Sequence, residues 1–162
     1  MISMNEIIFD LKPFSVPSIE EYRELICHPA VTRHMPLAQA EYSNEWIQEW
    51  IARKESTWPD KEYGPWSVWH NSTFVGWAGL EPEGEDLSVG IVLHKEYWGS
   101  GKVILKQVFT KMGRKIKGKR VTVEFPKSRH SAVWASRLGL VEIEEIEVSG
   151  IVFVRYELSL PL

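Results

Sequence analysis

The stretch Val89–Lys115 constrains the fold of this chain more than any other part of the sequence. It begins with Val89–Leu93, an apolar and β-branched run of the length of a strand. A short turn that contains Gly99 and Gly101 follows. Apolar residues then recur on one face of a helix: Val103, Ile104, Leu105, Val108, Phe109 and Met112. The stretch therefore predicts a buried strand, a glycine turn and an amphipathic helix.

The start of this predicted helix has the properties of an anion site. A helix that begins at a glycine turn presents unpaired backbone N–H groups, and its dipole adds partial positive charge there. Gly99 and Gly101 lack a Cβ atom, so a bulky phosphate can approach the backbone closely. The same pattern occurs in ordinary strand–turn–helix joints, and the flanking sequence has to decide between the two interpretations.

Composition indicates an ordinary globular domain. The 162 residues suit one domain, residues 1–162, with 44% apolar and 25% charged residues. The formal net charge of −3 argues against a basic nucleic-acid-binding surface, and no apolar run is long enough to cross a bilayer. The single cysteine, Cys27, cannot form an internal disulfide and suits a reducing compartment. We therefore expect a cytoplasmic monomer or homodimer without nucleic-acid or membrane partners.

Turn residues and apolar periodicity divide the rest of the chain. They predict seven strands: Glu6–Leu11, Pro65–His70, Thr73–Leu80, Val89–Leu93, Arg120–Phe125, Leu140–Glu147 and Ile151–Leu160. They predict four helices: Ile19–His28, Asn44–Lys54, one from about Val103, and His130–Leu138. Ala30–Tyr42 and Trp58–Gly64 are expected to be irregular. A helical crossover between the central strands makes that pair parallel. The expected fold is α/β (α+β), with a mixed, mostly antiparallel seven-stranded sheet flanked by four helices.

This order of elements, together with several motifs, resembles the GNAT superfamily of N-acetyltransferases over almost the whole chain. The acetyl-CoA signature of that family, Q/R-x-x-G-x-G/A, corresponds to Glu96–Gly101, where Glu96 replaces the usual Gln or Arg. His28–Met35, Phe74–Leu80 and the Tyr-Trp-Gly-x-Gly form of the signature are similar to the branch that includes the ribosomal-protein alanine N-acetyltransferases. Ser128–Ser131 and Leu138–Leu140 resemble the family's N-x-x-S and L-G-F segments.

The resemblance implies acetyl-CoA as cosubstrate and no metal. In this family the fourth and fifth strands splay apart and the pantetheine arm enters between them. Main-chain groups of Ile91, Val92 and Leu93 are then expected to pair with the pantetheine amides. The expected pyrophosphate site is the turn Trp98, Gly99, Ser100, Gly101 and Lys102. Ser128 and Ser131 complete the expected cofactor-binding set.

The resemblance also implies direct attack of a primary amine on acetyl-CoA in a ternary complex. Leu93 is the expected main-chain oxyanion donor, and Ser131 the expected proton donor, because Ala135 stands where many relatives carry tyrosine. Ser131 at a helix start equally suits a capping role. Relatives often carry a glutamate at the position of Ser88, which leaves the base open between several groups: Asp86, Glu81, His34, His94 or water.

The acceptor is expected at a surface lined by Arg33, His34, Met35, Trp66 and Trp77. A protein α-amine suits the branch, and a small amine such as a polyamine is the second choice. The departures at Ser88, Ser128 and Ala135 also keep a different class open, a CoA-binding module of the same fold without turnover. A third interpretation, an interaction protein with a degenerate groove, predicts no CoA binding at all.

Overall fold

Seven strands form one mixed sheet in the computed structural model, which describes residues 8–33, 35, 41–61, 63–116, 118–127, 135–136 and 138–158. The strands are β1 Asp10–Pro13, β2 Trp66–His70, β3 Thr73–Glu83, β4 Asp86–Leu93, β5 Val121–Pro126, β6 Leu140–Val148 and β7 Ile151–Leu158. The helices are α1 Ile19–Ile26, α2 Pro29–Thr32, α3 Asn44–Lys61 and α4 Gly101–Met112. Short 3₁₀ segments cover Lys95–Ser100 and Gly113–Ile116.

The spatial order of the strands is β1-β2-β3-β4-β5-β7-β6. β4 and β5 are parallel and the other neighbouring pairs are antiparallel. The predicted α/β fold with a mixed, mostly antiparallel sheet is therefore confirmed, as is the parallel central pair. Of the predicted last helix, the described residues Ala135, Ser136 and Leu138 are helical.

Local sequence signals account for several element boundaries. Ser18 Oγ accepts from the Glu21 N–H at 3.1 Å, and the Glu21 carboxylate accepts from the Ser18 N–H at 3.0 Å. This reciprocal capping box starts α1 at Ile19, as predicted. Ser43 Oγ accepts from the Trp46 N–H at 3.0 Å and so caps the start of α3.

Other predicted boundaries were wrong for identifiable reasons. α1 ends at Ile26, and Pro29 begins the short helix α2. Proline suits a first helical position, and His28 Nδ1 accepts from the Ala30 N–H. α3 runs on to Lys61, through the segment predicted as a loop. Gly84, at φ +62°, permits a tight two-residue turn, so that β3 and β4 pair beyond their predicted ends, up to Glu83 and Asp86.

The sheet separates two apolar cores. On one face, here named the α4 face, side chains of α4 pack against Val75, Leu80, Val89, Val121 and Val123. On the opposite face, here named the α3 face, residues of α1 and α3 pack against Trp69, Phe74 and Trp77. Because side chains alternate along a strand, each strand residue can be assigned to one face. No helix within the described ranges is long and apolar enough to span a membrane.

Candidate active site

A gap opens between the two central parallel strands. β4 and β5 pair only where both begin, at Leu87 with Val121 and at Ser88 with Thr122. The Leu87 N–H donates to the Arg120 carbonyl at 2.9 Å at this junction. Beyond it, the two strands have no pairing within the described residues. We name the space between residues 89–93 of β4 and 123–126 of β5 the central gap.

Main-chain groups along β4 alternate between β3 and the central gap. The His94 N–H donates to the Val75 carbonyl of β3 at 2.8 Å. In an antiparallel ladder, every second residue forms such bonds, so the groups of Val92 and Gly90 also face β3. The intervening residues face the other way, as the Leu87 N–H bond toward β5 shows. N–H groups of Val89, Ile91 and Leu93 therefore line the central gap.

This alternation corrects one predicted position and adds another. Val92 was expected to pair with the pantetheine amides, but its main chain is directed to β3, where it lies opposite Trp77. Val89 was not predicted, although its main chain faces the gap. Counting forward in steps of two from Glu85, through Leu87, reaches Val89, because the turn sets which residues of the hairpin face each side. Ile91 and Leu93 face the gap as the sequence predicted.

Trp98 closes one end of the gap-facing row. Its indole Nε1 donates to the Leu93 carbonyl at 2.9 Å, while the side chain remains 37% exposed. The Leu93 carbonyl is therefore occupied, and the Leu93 N–H is the group that this residue offers to the gap. The contact holds the 3₁₀ segment Lys95–Ser100 against the end of β4 and so positions the turn before α4.

The turn before α4 is suited to an anion. The side chains of the two N-cap residues, His94 before the 3₁₀ segment and Ser100 before α4, form no capping hydrogen bond. Ser100 is 2% exposed, and its Oγ has no hydrogen-bond partner among the described residues. A Cβ built on Gly99 would meet no atom within 4 Å. Lys102 is exposed beside this turn. An orphaned buried hydroxyl, open space and an uncapped helix start fit the requirements of a phosphate group.

A row of polar residues crosses the α3 face where the gap begins. Glu81 of β3 lies opposite Ser88 of β4, and Ser88 lies beside Thr122 of β5. Thr122 is 3% exposed, and its Oγ1 has no partner within the part of the chain that the structure describes. The sequence reasoning missed Thr122, although a hydroxyl between two buried valines is an available signal. The Lys54 ammonium from α3 pairs with the Glu81 carboxylate.

The residues predicted for the acceptor do not form one group. Arg33 is exposed at the end of α2, and Met35 is partly buried beside the core of the α3 face. Trp77 belongs to that same core. Trp66 was predicted to join them, but it packs at 2% exposure in the core of the α4 face. Trp66 and Trp77 thus lie on opposite faces of the sheet and cannot line one surface.

Several predicted residues lie outside the described ranges, namely His34, Ser128 and Ser131. Ala135, which replaces the tyrosine of many relatives, is 3% exposed and packs in the core of the α4 face.

His94 lies between β4 and the aromatic core of the α3 face. Its ring meets the ring of Phe74 at 6.1 Å and 89°. Partial burial lowers the pKa of His94 from its ordinary value of 6.5. The imidazole is therefore neutral at pH 7 and able to accept a proton. Of the base candidates named from sequence, Asp86, Glu81 and His94 are described, and Glu81 is the one opposite Ser88.

The sequence of this sheet and helix arrangement matches a known protein family. The family model described as "Acetyltransferase (GNAT) domain" matches residues 9–114. The chain belongs to this family. The matched residues include β4, which borders the central gap, together with the 3₁₀ segment and α4, which form the turn suited to an anion. The protein is thus an acetyltransferase of the GNAT family, whose members use acetyl-CoA. No curated protein matches the sequence significantly.

Solved structures share the fold at low sequence identity. A GNAT-family protein from Bordetella pertussis superposes with a TM-score of 0.72 at 13% identity, over 92% of this chain and 94% of the other. Spermidine N-acetyltransferase from Vibrio cholerae, in complex with CoA and spermine, gives 0.68 at 11% identity over 93% and 94%. A Vibrio cholerae protein described as a ribosomal-protein-serine acetyltransferase gives 0.67 at 17% identity over 94% and 95%.

Proposed function

We propose that this GNAT domain transfers the acetyl group of acetyl-CoA to a primary amine, by direct attack in a ternary complex. The observation that carries the proposal is the position of the central gap beside the uncapped start of α4. An extended amide-containing arm can pair with N–H groups that face the gap. A diphosphate can lie at the adjoining helix start. A CoA thioester contains both parts, because its pantetheine arm carries two amides and ends at a diphosphate.

The residues present fit that ligand. Ile91 and Leu93 offer main-chain N–H groups to pantetheine, and the turn from Trp98 to Lys102 is the proposed site of the pyrophosphate. Ser100 Oγ, buried and without a partner among the described residues, is a ready donor to a phosphate oxygen. When bound, acetyl-CoA supplies the reactive thioester. Ser128 and Ser131 remain part of the proposed cofactor-binding set.

Main-chain groups of β4 are the proposed electrostatic catalysts. Acyl transfer develops negative charge on the carbonyl oxygen, which a fixed N–H donor stabilises. The sequence suggested Leu93 for this task. By the alternation along β4, the N–H groups of Val89 and Ile91 also face the gap and could donate to this oxygen. Val89 lies next to the polar row of Glu81, Ser88 and Thr122. We therefore include Val89 among the proposed oxyanion donors and keep Leu93.

Proton transfer involves two proposed groups. The attacking ammonium must lose a proton, and Glu81 or the neutral imidazole of His94 can accept it, directly or through water. The leaving thiolate must gain a proton, for which Ser131 remains the proposed donor. Ser88 lacks an ionisable group for the first task, whereas the carboxylate of Glu81 projects on the same face from the neighbouring strand.

The acceptor class is proposed from the relatives and from the charge of the site. The relatives include an enzyme crystallised with spermine and one described as acting on a ribosomal protein. A protein α-amine is the primary proposal, since the Tyr-Trp-Gly-x-Gly form resembles the ribosomal-protein branch. A small polyamine is the second, and carboxylates at Glu81, Glu83 and Asp86 on the same face suit either cation.

Thiol release from acetyl-CoA in the presence of an amine panel tests the proposal. The panel should contain peptides with free α-amines, spermidine and simple alkylamines. We expect saturable release with at least one class. Saturable acetyl-CoA binding without release across the panel would favour the CoA-binding module, and the absence of binding would favour an interaction protein.

Gly99→Glu tests the cofactor site itself. The new side chain has open space around its Cβ, so the fold should persist, but its charge would stand beside the pyrophosphate. We expect acetyl-CoA affinity to fall at least about 100-fold, or about 2.7 kcal/mol. Gly99→Ala is the matched control, because it adds a Cβ without charge. Calorimetric titration that finds equal affinity in both variants would contradict the placement of the pyrophosphate. Gly101→Glu should weaken binding in the same direction.

A further inference from the structure

The ammonium of Lys54 lies between an aromatic ring and a carboxylate, two groups that attract cations. Its Nζ lies 4.9 Å from the centroid of the Trp77 ring. It also pairs with the Glu81 carboxylate. The Lys54 side chain is 20% exposed and the Glu81 side chain 33%. An aromatic face and a carboxylate that contact one ammonium in a partly buried position form a recognised arrangement for binding alkylammonium groups.

Two other lysines that lie over indole rings in the described part of the chain lack this combination. Lys12 lies 5.0 Å from the centroid of Trp69, and Lys111 lies 5.7 Å from that of Trp66. Within the described residues neither of these lysines forms an ion pair with a carboxylate. The contact of Lys54 therefore differs from a surface lysine that covers an indole with its methylene groups.

The position of this cation site relates it to the central gap. The six-membered ring of Trp77 lies over Gly90 of β4, where an added Cβ would come within 2.6 Å of the ring. Glu81 lies opposite Ser88, at the point where β4 and β5 stop pairing. The neighbours of Gly90, Val89 and Ile91, direct their main-chain groups into the gap. Trp77 and Glu81 thus lie on the α3 face beside the β4 residues that border the gap.

Thr122 provides an independent indication that a polar ligand group belongs here. It lies on the other side of Ser88 from Glu81 and faces the same side of the sheet. Adjacent strands are about 4.8 Å apart, so Glu81 and Thr122 flank a space about 10 Å wide. The buried Thr122 hydroxyl has no partner among the described residues, which is costly unless a ligand or water meets it.

We propose that Trp77 and Glu81 bind the primary ammonium of the acceptor, and that Lys54 occupies this site as an internal competitor until the acceptor displaces it. That the bound ammonium belongs to the acetyl acceptor rests on the proposed function, whereas the existence of an ammonium site rests on the contacts of Lys54. The site selects an alkylammonium over a neutral group, because a neutral group would gain neither the ion pair with the carboxylate nor the cation–π contact with the ring. Displacement of Lys54 breaks and forms no covalent bond.

Lys54→Met tests the proposal by removing the competing charge while keeping a chain of similar length over Trp77. The probes are n-butylammonium and, as a neutral control, n-butanol. Binding is followed by the indole N–H resonance of Trp77 in ¹⁵N-labelled protein, assigned through Trp77→Phe. If Lys54 fills the site about nine-tenths of the time, its removal tightens n-butylammonium binding about tenfold. Lys12→Met is the matched control and should bind as the wild type does.

Three results would overturn the inference. The first is equal n-butylammonium affinity in the wild type and Lys54→Met. The second is binding that survives Glu81→Gln in the Lys54→Met background. The third is an equal response to n-butanol. These titrations contain no acetyl-CoA. Tight binding without turnover of any amine would therefore uphold the ammonium site and contradict the proposed function. Turnover of an amine that leaves the Trp77 resonance unchanged would uphold the proposed function and contradict the ammonium site.

Discussion

The two halves of the α3 face differ in what holds them together. Over β1 to β3 the helices α1 and α3 cover aromatic rings, with Phe14 stacked on Tyr22 at 4.7 Å and edge-on to Trp50 at 5.1 Å. Over β5 to β7 the same face carries charges, and Arg155 contacts three carboxylates: Glu83, Glu124 and Glu144. The first half, here named the aromatic half, is held mainly by the packing of rings, and the second, here named the polar half, by ion pairs. The two halves meet at β3 and β4, where Trp77 and Glu81 contact Lys54.

Phe14→Ala should have the largest effect on stability. Phe14 is fully buried among three other rings, so truncation leaves a cavity that α1 and α3 cannot readily close. We expect a loss of about 3–5 kcal/mol in the free energy of unfolding. Denaturant unfolding measures it. A loss below about 1 kcal/mol would mean that the aromatic half does not carry the packing assigned to it.

Arg155→Met should have a smaller effect that depends on salt. The guanidinium donates to Glu124 at 2.8 and 3.0 Å and to Glu144 at 2.7 Å, and the Arg155 side chain is 24% exposed. Its removal leaves Glu124 without this partner. We expect a loss of about 1–2 kcal/mol at low ionic strength and less in high salt.

Arg120→Met is the matched control for that measurement. Arg120 pairs at 3.9 Å with Asp86 and at 3.7 Å with Glu157, and its side chain is 42% exposed. Long, exposed pairs contribute little, so unfolding should change by less than about 0.5 kcal/mol. Equal losses in the two arginine variants would contradict the view that Arg155 organises the polar half.

The fold was predictable because its signals are local. The capping box of α1, the Gly-containing turns and the helical crossover before β5 are each readable within a few residues. The end of α3 was not, because the Trp58–Gly64 segment looks polar and contains Pro59, while tertiary contacts extend the helix. Thr57 Oγ1, for example, donates to the carbonyl oxygens of Lys54 and Gly64.

The site was predictable only in part, for a reason of geometry. The glycines predicted a turn between β4 and α4, which the structure contains, while the binding of an anion there stays a prediction. The parity of β4 and the pairing of Glu81 with Ser88 depend on the register of the hairpin, which the sequence left open by one or two residues. The separation of Trp66 from Trp77 depends on the register of β2 with β3, in which Trp66 lies opposite Ala78 and so on the other face from Trp77, and no single segment encodes that register.

His94→Gln should have the smallest effect on the free energy of unfolding, and it tests whether His94 is buried against the aromatic half. Burial lowers the pKa of His94, so the unfolded chain takes up its proton first as the pH falls. The wild type therefore loses stability as the pH drops below the ordinary histidine pKa, and the variant should lose less. Unfolding at about pH 7.5 and about pH 5.5 measures both slopes. Identical slopes would show that His94 is solvated and lies outside the aromatic half.

Amide hydrogen exchange along β4, with and without CoA, tests the central claim most directly. CoA should slow exchange at Ile91 and Leu93, whose N–H groups face the gap. Exchange at Gly90 and Val92 should change little, because their N–H groups already face β3. Protection that ignores this alternation, or no protection at all under saturating CoA, would contradict the account of the central gap as the thioester site.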